Sequence, residues 1–219
     1  TKPMGRFRTV APQVVLDALR KAVEFTLDHG DDLVDSYVAL ARAARAAGQT
    51  VAAFAACHGV GPSLTPHCRA MGVRSWTIEP INAGLNGGAP LLPADRWYEN
   101  LRSNHGLYES LRVLYGAIKI VVGTLTARRQ GELMDLVAES CLDAERTRLV
   151  FKNRKSGPGG LRETEARPIP PIGVRLIGLL ERLQKNLIHI EALKEADRVF
   201  APPRRLEPGL VVLTFAQYN

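Results

Sequence analysis

The spacing of apolar residues from Leu107 to Val121 constrains this chain more than any other feature. Leu107, Leu111, Leu114, Ile118 and Val121 step by four, three, four and three, which puts them on one stripe of a helix that has to be buried. A second stripe follows in Ile172, Leu176, Leu180, Leu183, Leu187, Ile190 and Leu193. Nearer the start, Val15, Leu19, Ala22, Val23 and Thr26 predict a helix over 13–28, with His29-Gly30 as its stop. Asp31 or Asp32 is then expected to cap another helix, with Leu33, Tyr37, Ala41 and Ala44 on one face until Gly48. The expected fold is mainly α.

Strand signals lie between the two strongest stripes. Gly123 is expected to end the first of these helices, and Thr126 to cap a further one through Leu136 to about Glu139. Cys141-Leu142 and Arg148–Asn153 read as short strands, the latter with Leu149 and Phe151 alternating against Arg148, Val150 and Lys152. A turn over Lys155–Ala166 contains Gly157-Pro-Gly-Gly160, and no Lys-Ser/Thr helix follows to make it a phosphate loop. Arg167-Pro-Ile-Pro170 reads as a third strand at a sheet edge, because proline cannot donate to a ladder. These signals add a small antiparallel sheet, so the fold class is α+β in one domain over 1–219. A short helix over Val51–Cys57 is expected within a Gly-, Pro- and Asn-rich stretch, 48–95, that otherwise shows no period and reads as an insertion. The tail from Ala201 is proline-rich, then strand-like over Leu210–Phe215.

Composition narrows the function classes. The longest apolar stretch, Ile118 to Leu125, is broken by Lys119 and Gly123, well short of a membrane span. The start of the chain is polar and basic, unlike a secretory signal, and Thr1 in place of methionine suggests a fragment. Cys57, Cys68 and Cys141 cannot all pair, so a reducing, cytoplasmic setting is expected. Cys57-His58 and His67-Cys68 also invite a zinc reading, although their spacing is unlike common zinc knuckles. Trp76, Trp97 and Tyr98 read as packing residues. The net charge of +7 favours a polyanionic partner. Residues 1–123 hold 13 Lys/Arg against 10 Asp/Glu, whereas 146–167 hold seven against two. The surplus is concentrated around the expected sheet.

Thr126-Ala-Arg-Arg129, Arg129-Gln-Gly-Glu-Leu133, Lys155-Ser-Gly157 and Arg167-Pro-Ile-Pro170 occur in the order found in the front half of the tyrosine recombinase (phage integrase) catalytic domain. Over residues 107–193 the chain resembles that family. The resemblance implies that Arg129 is the first catalytic arginine, supported by Glu132, and that Lys155 is the catalytic lysine. It implies a double-stranded DNA partner, with Arg128, Arg148, Lys152, Arg154, Arg162 and Arg167 as phosphate contacts. It also implies self-association on DNA in the complete protein, a nucleoid-associated place in the cytoplasm, and no cofactor or metal. The complete enzyme would integrate or recombine the DNA of a mobile element through a 3′-phosphotyrosyl intermediate. Two departures stand out. Ala127 occupies the family's turn glycine, and none of His29, His58, His67, His105 or His189 is followed at its third position by arginine, as the family's second half requires. Tyr218 lacks those neighbours, so the chain is expected to bind DNA without cleaving it.

The chemistry gives those residues a reason. Charge builds on the non-bridging oxygens of an attacked phosphodiester, and a guanidinium meets it with two parallel hydrogen bonds at any relevant pH. A helix start would add the positive end of the backbone dipole, and Glu132 would hold the Arg129 side chain in one rotamer. Lys155 would protonate the departing 5′ oxygen, with Lys152 competing for that role and a solvated hairpin-tip lysine as the plain alternative. Three other readings compete. One makes Arg129 and Glu132 only an exposed helical pair, another makes the chain a non-catalytic DNA-binding or regulatory module on the same scaffold, and the third makes it an all-helical interaction domain with no hairpin at 148–168.

Overall fold

The computed structural model describes residues 10–77, 105–153, 163–196 and 198–201. Helix α1 runs unbroken from Pro12 to Ala46, 35 residues, or about 52 Å at 1.5 Å per residue. The expected stop at His29-Gly30 and a new cap at Asp31 or Asp32 are therefore corrected. Gly30 is buried where three helices meet, and a Cβ there would lie 2.7 Å from Leu179 Cδ2 and 3.5 Å from Leu114 Cδ1. The glycine permits close approach instead of ending the helix. Asp31 faces outward and receives Arg175 and Arg182 at 3.4 and 2.8 Å.

Much of the stretch expected to lack structure is built of short elements. Helix α2 covers Val51–His58, where a helix over Val51–Cys57 was expected, and Thr50 accepts the Ala53 N–H as its cap. A single 3₁₀ turn, Gly61–Ser63, leads to α3, Pro66–Ala70, which Thr65 caps through the Cys68 N–H. Strand β1, Val73–Ser75, then pairs in parallel with β2, His105–Gly106. Elements of three to five residues are too short to display a period. Trp76 packs as expected, with ring centroids 5.9 Å from Tyr37 and 5.2 Å from Tyr108. Trp97 and Tyr98 lie outside the described residues. His67 meets His29, Nε2 to Nδ1 at 2.8 Å, and burial, followed by the neighbouring His67, lowers the pKa of His29 below the ordinary imidazole value. His58 lies against the Phe54 ring and Cys68 is buried, so the two Cys-His pairs do not converge. Among the described residues no three His, Cys, Asp or Glu side chains gather as a metal site.

Helix α4, Leu107–Thr126, buries the expected stripe of Leu107, Leu111, Leu114, Ile118 and Val121. It packs between α1 and α6, which covers Pro171–His189 and buries Leu176, Leu180, Leu183 and Leu187. Gly123 does not end α4; it makes room for Leu133, whose Cδ1 would be 2.9 Å from a Cβ at that position. Helix α5 is brief, Gln130–Met134, so Thr126 is not its cap and the helix does not reach Glu139. Instead Thr126 closes α4 and donates its hydroxyl to the Val122 carbonyl at 2.6 Å.

Strand β3, Arg148–Lys152, pairs antiparallel with β4, Thr164–Pro168, in the register Leu149 opposite Arg167 and Phe151 opposite Glu165. The third strand thus starts and stops earlier than Arg167–Pro170. Cys141-Leu142 contributes only a bridge from Leu142 to Leu149, leaving β4 at the edge, where Pro168 is tolerated. The fold is mainly helical with a small antiparallel sheet, and the hairpin excludes an all-helical domain. Val199 and Phe200 are wholly buried, held by the Val199 N–H to the Leu136 carbonyl at 3.0 Å and by Gln184 Nε2 to the Arg198 carbonyl at 2.8 Å. No described helix is long and apolar enough to cross a membrane.

The helix crossing makes a prediction of opposite signs. Gly30→Val should lower unfolding free energy by about 1–3 kcal/mol through overpacking. Gly116→Ala, where nothing lies within 4 Å of an added Cβ, should raise it by about 1 kcal/mol through helix propensity. Urea unfolding of the two variants measures both.

Candidate functional site

The end of α4 and the start of α5 make the candidate site. Ala127 leaves the helix at φ 51°, ψ 40°, with its N–H turned back to the Gly123 and Thr124 carbonyls. The Arg128 N–H reaches the Gly123 carbonyl at 3.0 Å. This left-handed reversal is the conformation that glycine adopts at least cost, so Ala127 keeps the turn geometry at some strain. Arg129 follows in extended backbone as the cap residue of α5, and Glu132 Oε2 accepts its backbone N–H at 3.1 Å. The carboxylate is buried and serves the main chain, half of a reciprocal cap in which an arginine side chain has no acceptor to return.

Glu132 is therefore not the support of the Arg129 guanidinium. The same Oε2 lies 3.8 Å from Nη1 of Arg128. Arg128 also donates Nε–H to the Thr126 carbonyl at 2.9 Å and lays its guanidinium over the Phe151 ring of β3, 4.4 Å from the centroid. The Arg129 side chain is exposed and has no ion-pair partner among the described residues. With only five residues in α5, the aligned backbone dipole there is small.

The other basic residues are divided by the pleat. Arg148 and Lys152 are exposed on one face of β3, flanking Val150. Arg167 stands opposite Leu149, on the other face, and pairs with Glu165 at 3.3 Å. Glu165 in turn accepts from Asn153 Nδ2 at 2.6 Å. Arg146, at φ 54°, pairs with the buried Glu181 of α6 at 3.0 Å, so it ties the sheet to the helices. Lys155, Arg154, Arg162 and Gly157–Gly160 lie outside the described residues, as does Tyr218. The structure thus brings Arg128, Arg129, Glu132 and β3 together, while Arg148 and Lys152 point away from Arg167.

Two supports escaped the sequence reading. The Phe151 ring was visible only as a buried strand position, with nothing to mark it as a platform for a cation. Asp143 organises the entry to β3 by accepting from the Arg148 and Thr147 N–H groups at 2.9 and 2.7 Å and from the Thr147 hydroxyl at 3.1 Å. Those donors, the Arg148 N–H foremost, hold its carboxyl below the usual range. Cys141 is no nucleophile candidate, since burial first and Glu181 next push its thiol up to about 12.

Comparison of the chain with protein-family models, curated proteins and solved structures finds no match.

The junction yields two expected outcomes. Ala127→Gly should raise unfolding free energy by about 1 kcal/mol by relieving the left-handed backbone. Glu132→Ala should lower it by about 1–3 kcal/mol, because a charge-assisted hydrogen bond to a main-chain donor is lost, with Glu132→Gln milder. Both are read from denaturant midpoints.

Proposed function

We propose that this chain is the front part of a DNA breaking-and-rejoining enzyme of the tyrosine recombinase type. In this reading Arg129 stabilises charge on the scissile phosphate and Lys155 protonates the leaving oxygen. One observation carries it: the Arg129 guanidinium is exposed at a junction whose backbone is held from both sides, with no carboxylate of the described residues neutralising it. The Glu132 carboxylate is committed to the main chain and to Arg128. An arginine fixed at its backbone and unpaired at its tip suits a phosphate better than a stabilising ion pair. Exposed Arg148 and Lys152 add cationic surface on β3. Duplex DNA is the partner, bound through its backbone, with copies of the complete protein assembling on it.

A second reading, a non-catalytic DNA-binding module on the same scaffold, is favoured by the lack of arginine at the third position after each of the five histidines. The two readings share a binding test and part at chemistry. The chain should bind duplex DNA weakly, with affinity falling steeply as salt rises, and Arg129→Ala should reduce the log–log slope by about 0.9. It should form no covalent adduct with DNA. In a full-length protein carrying this chain, Arg129→Ala should abolish recombination and spare binding; if no phosphotyrosyl intermediate forms even with Arg129 intact, the non-catalytic reading holds.

A further inference from the structure

Arg128, by sequence a phosphate contact, is placed differently by its surroundings. Its side chain is only 16% exposed. The guanidinium lies 4.4 Å from the centroid of Phe151, which is itself buried on β3. Nε–H is committed to the Thr126 carbonyl at 2.9 Å and Nη1 faces the buried Glu132 carboxylate at 3.8 Å. A phosphate would meet a guanidinium already engaged at Nε and Nη1, covered by a ring and largely shielded from solvent.

We infer that Arg128 is a positioning residue: it clamps the α4–α5 junction to β3 and so fixes Arg129 relative to the hairpin, without touching DNA. The linkage runs through one atom. Glu132 Oε2 receives the Arg129 N–H on one side and faces Arg128 on the other. Movement of the Phe151 ring is therefore felt at the Arg129 backbone through a guanidinium and a carboxylate. The clamp depends on shape as well as charge, because stacking and the Nε donor need a planar guanidinium that lysine lacks. Its functional consequence rests on the DNA reading above; the clamp itself does not.

The test uses Arg128→Ala, Arg128→Lys, Arg129→Ala and Phe151→Leu in the full chain, with two readouts. The first is amide hydrogen exchange at Arg129. Exchange should quicken in both Arg128 variants and equally in Phe151→Leu, a change on a different element, and combining Phe151→Leu with Arg128→Ala should add little further. The second is the salt dependence of binding to a duplex oligonucleotide. Arg129→Ala should lower the slope by about 0.9, whereas Arg128→Ala and Arg128→Lys should leave it at the wild-type value. A slope loss in Arg128→Ala equal to that in Arg129→Ala would make Arg128 a phosphate contact and overturn the inference. So would unchanged Arg129 exchange in Phe151→Leu, a mild variant that keeps the strand apolar. If the wild-type chain binds no DNA, the functional reading falls, and the exchange result alone decides the clamp.

Discussion

A methyl group at position 30 would already stand 2.7 Å from Leu179, and that limit sets the spacing of α1, α4 and α6. The three helices carry most of the buried apolar surface, and each needs the other two to cover its stripe. Because α1 passes the crossing without a break, its C-terminal half, from Leu33 to Ala44, lies in the core. Its first turns stand clear, with Val14, Val15 and Leu16 exposed. Once α4 is held at this crossing, its far end at Thr126 has a fixed place, and Ala127 can reverse the chain there. The candidate site is thus a consequence of helix packing: the junction bearing Arg128 and Arg129 sits where the central helix runs out.

The strand pair is joined to this helical body by contacts that mix charge and apolar surface. Leu149 and Phe151 bury one face of β3, and Arg146 reaches Glu181 on α6. Arg128 covers Phe151 from the junction side. An isolated two-stranded hairpin is marginal in water, so these attachments make the hairpin a platform. They also draw on the basic residues that raise the local charge. Arg146, Arg167 and Arg128 have ion-pair partners, while the Lys152 ammonium and the Arg129 guanidinium have none among the described residues. Among the described residues, the free cationic surface is narrower than the count of bases suggests.

What could be read from the sequence divides along the same physical line. The stripes of α4 and α6 and the alternation of β3 were legible because burial on one face imposes a period on residue type. The continuity of α1 was not, because a glycine that stops a helix and one that lets two helices touch look alike until the neighbour is known. The same ambiguity misled at Gly123, where Leu133 is the neighbour. Of the short elements between Val51 and Ser75, only the helix at Val51 was legible; the 3₁₀ turn, α3 and β1 escaped because they are too short to show a period. At the site, Arg129 and Glu132 were visible as a pair of residue types, but the wrong partner was assigned. A carboxylate three residues into a helix satisfies the first free N–H before it serves a side chain, and that rule, applied to Arg129-Gln-Gly-Glu132, would have predicted the observed bond.

That bond bears on how an arginine is best prepared for a phosphate. If Glu132 gripped the Arg129 guanidinium, a ligand would have to break an ion pair to gain one, and the net gain would shrink. Holding the backbone leaves the five donors of the side chain unspent and limits where its tip can travel. Arg128 then supplies the positive neighbour that the buried Glu132 carboxylate needs, taking up charge that would otherwise face the ligand. Two adjacent arginines thus separate by burial: Arg128 spends its donors inside the fold, and the exposed Arg129 guanidinium has no ion-pair partner among the described residues.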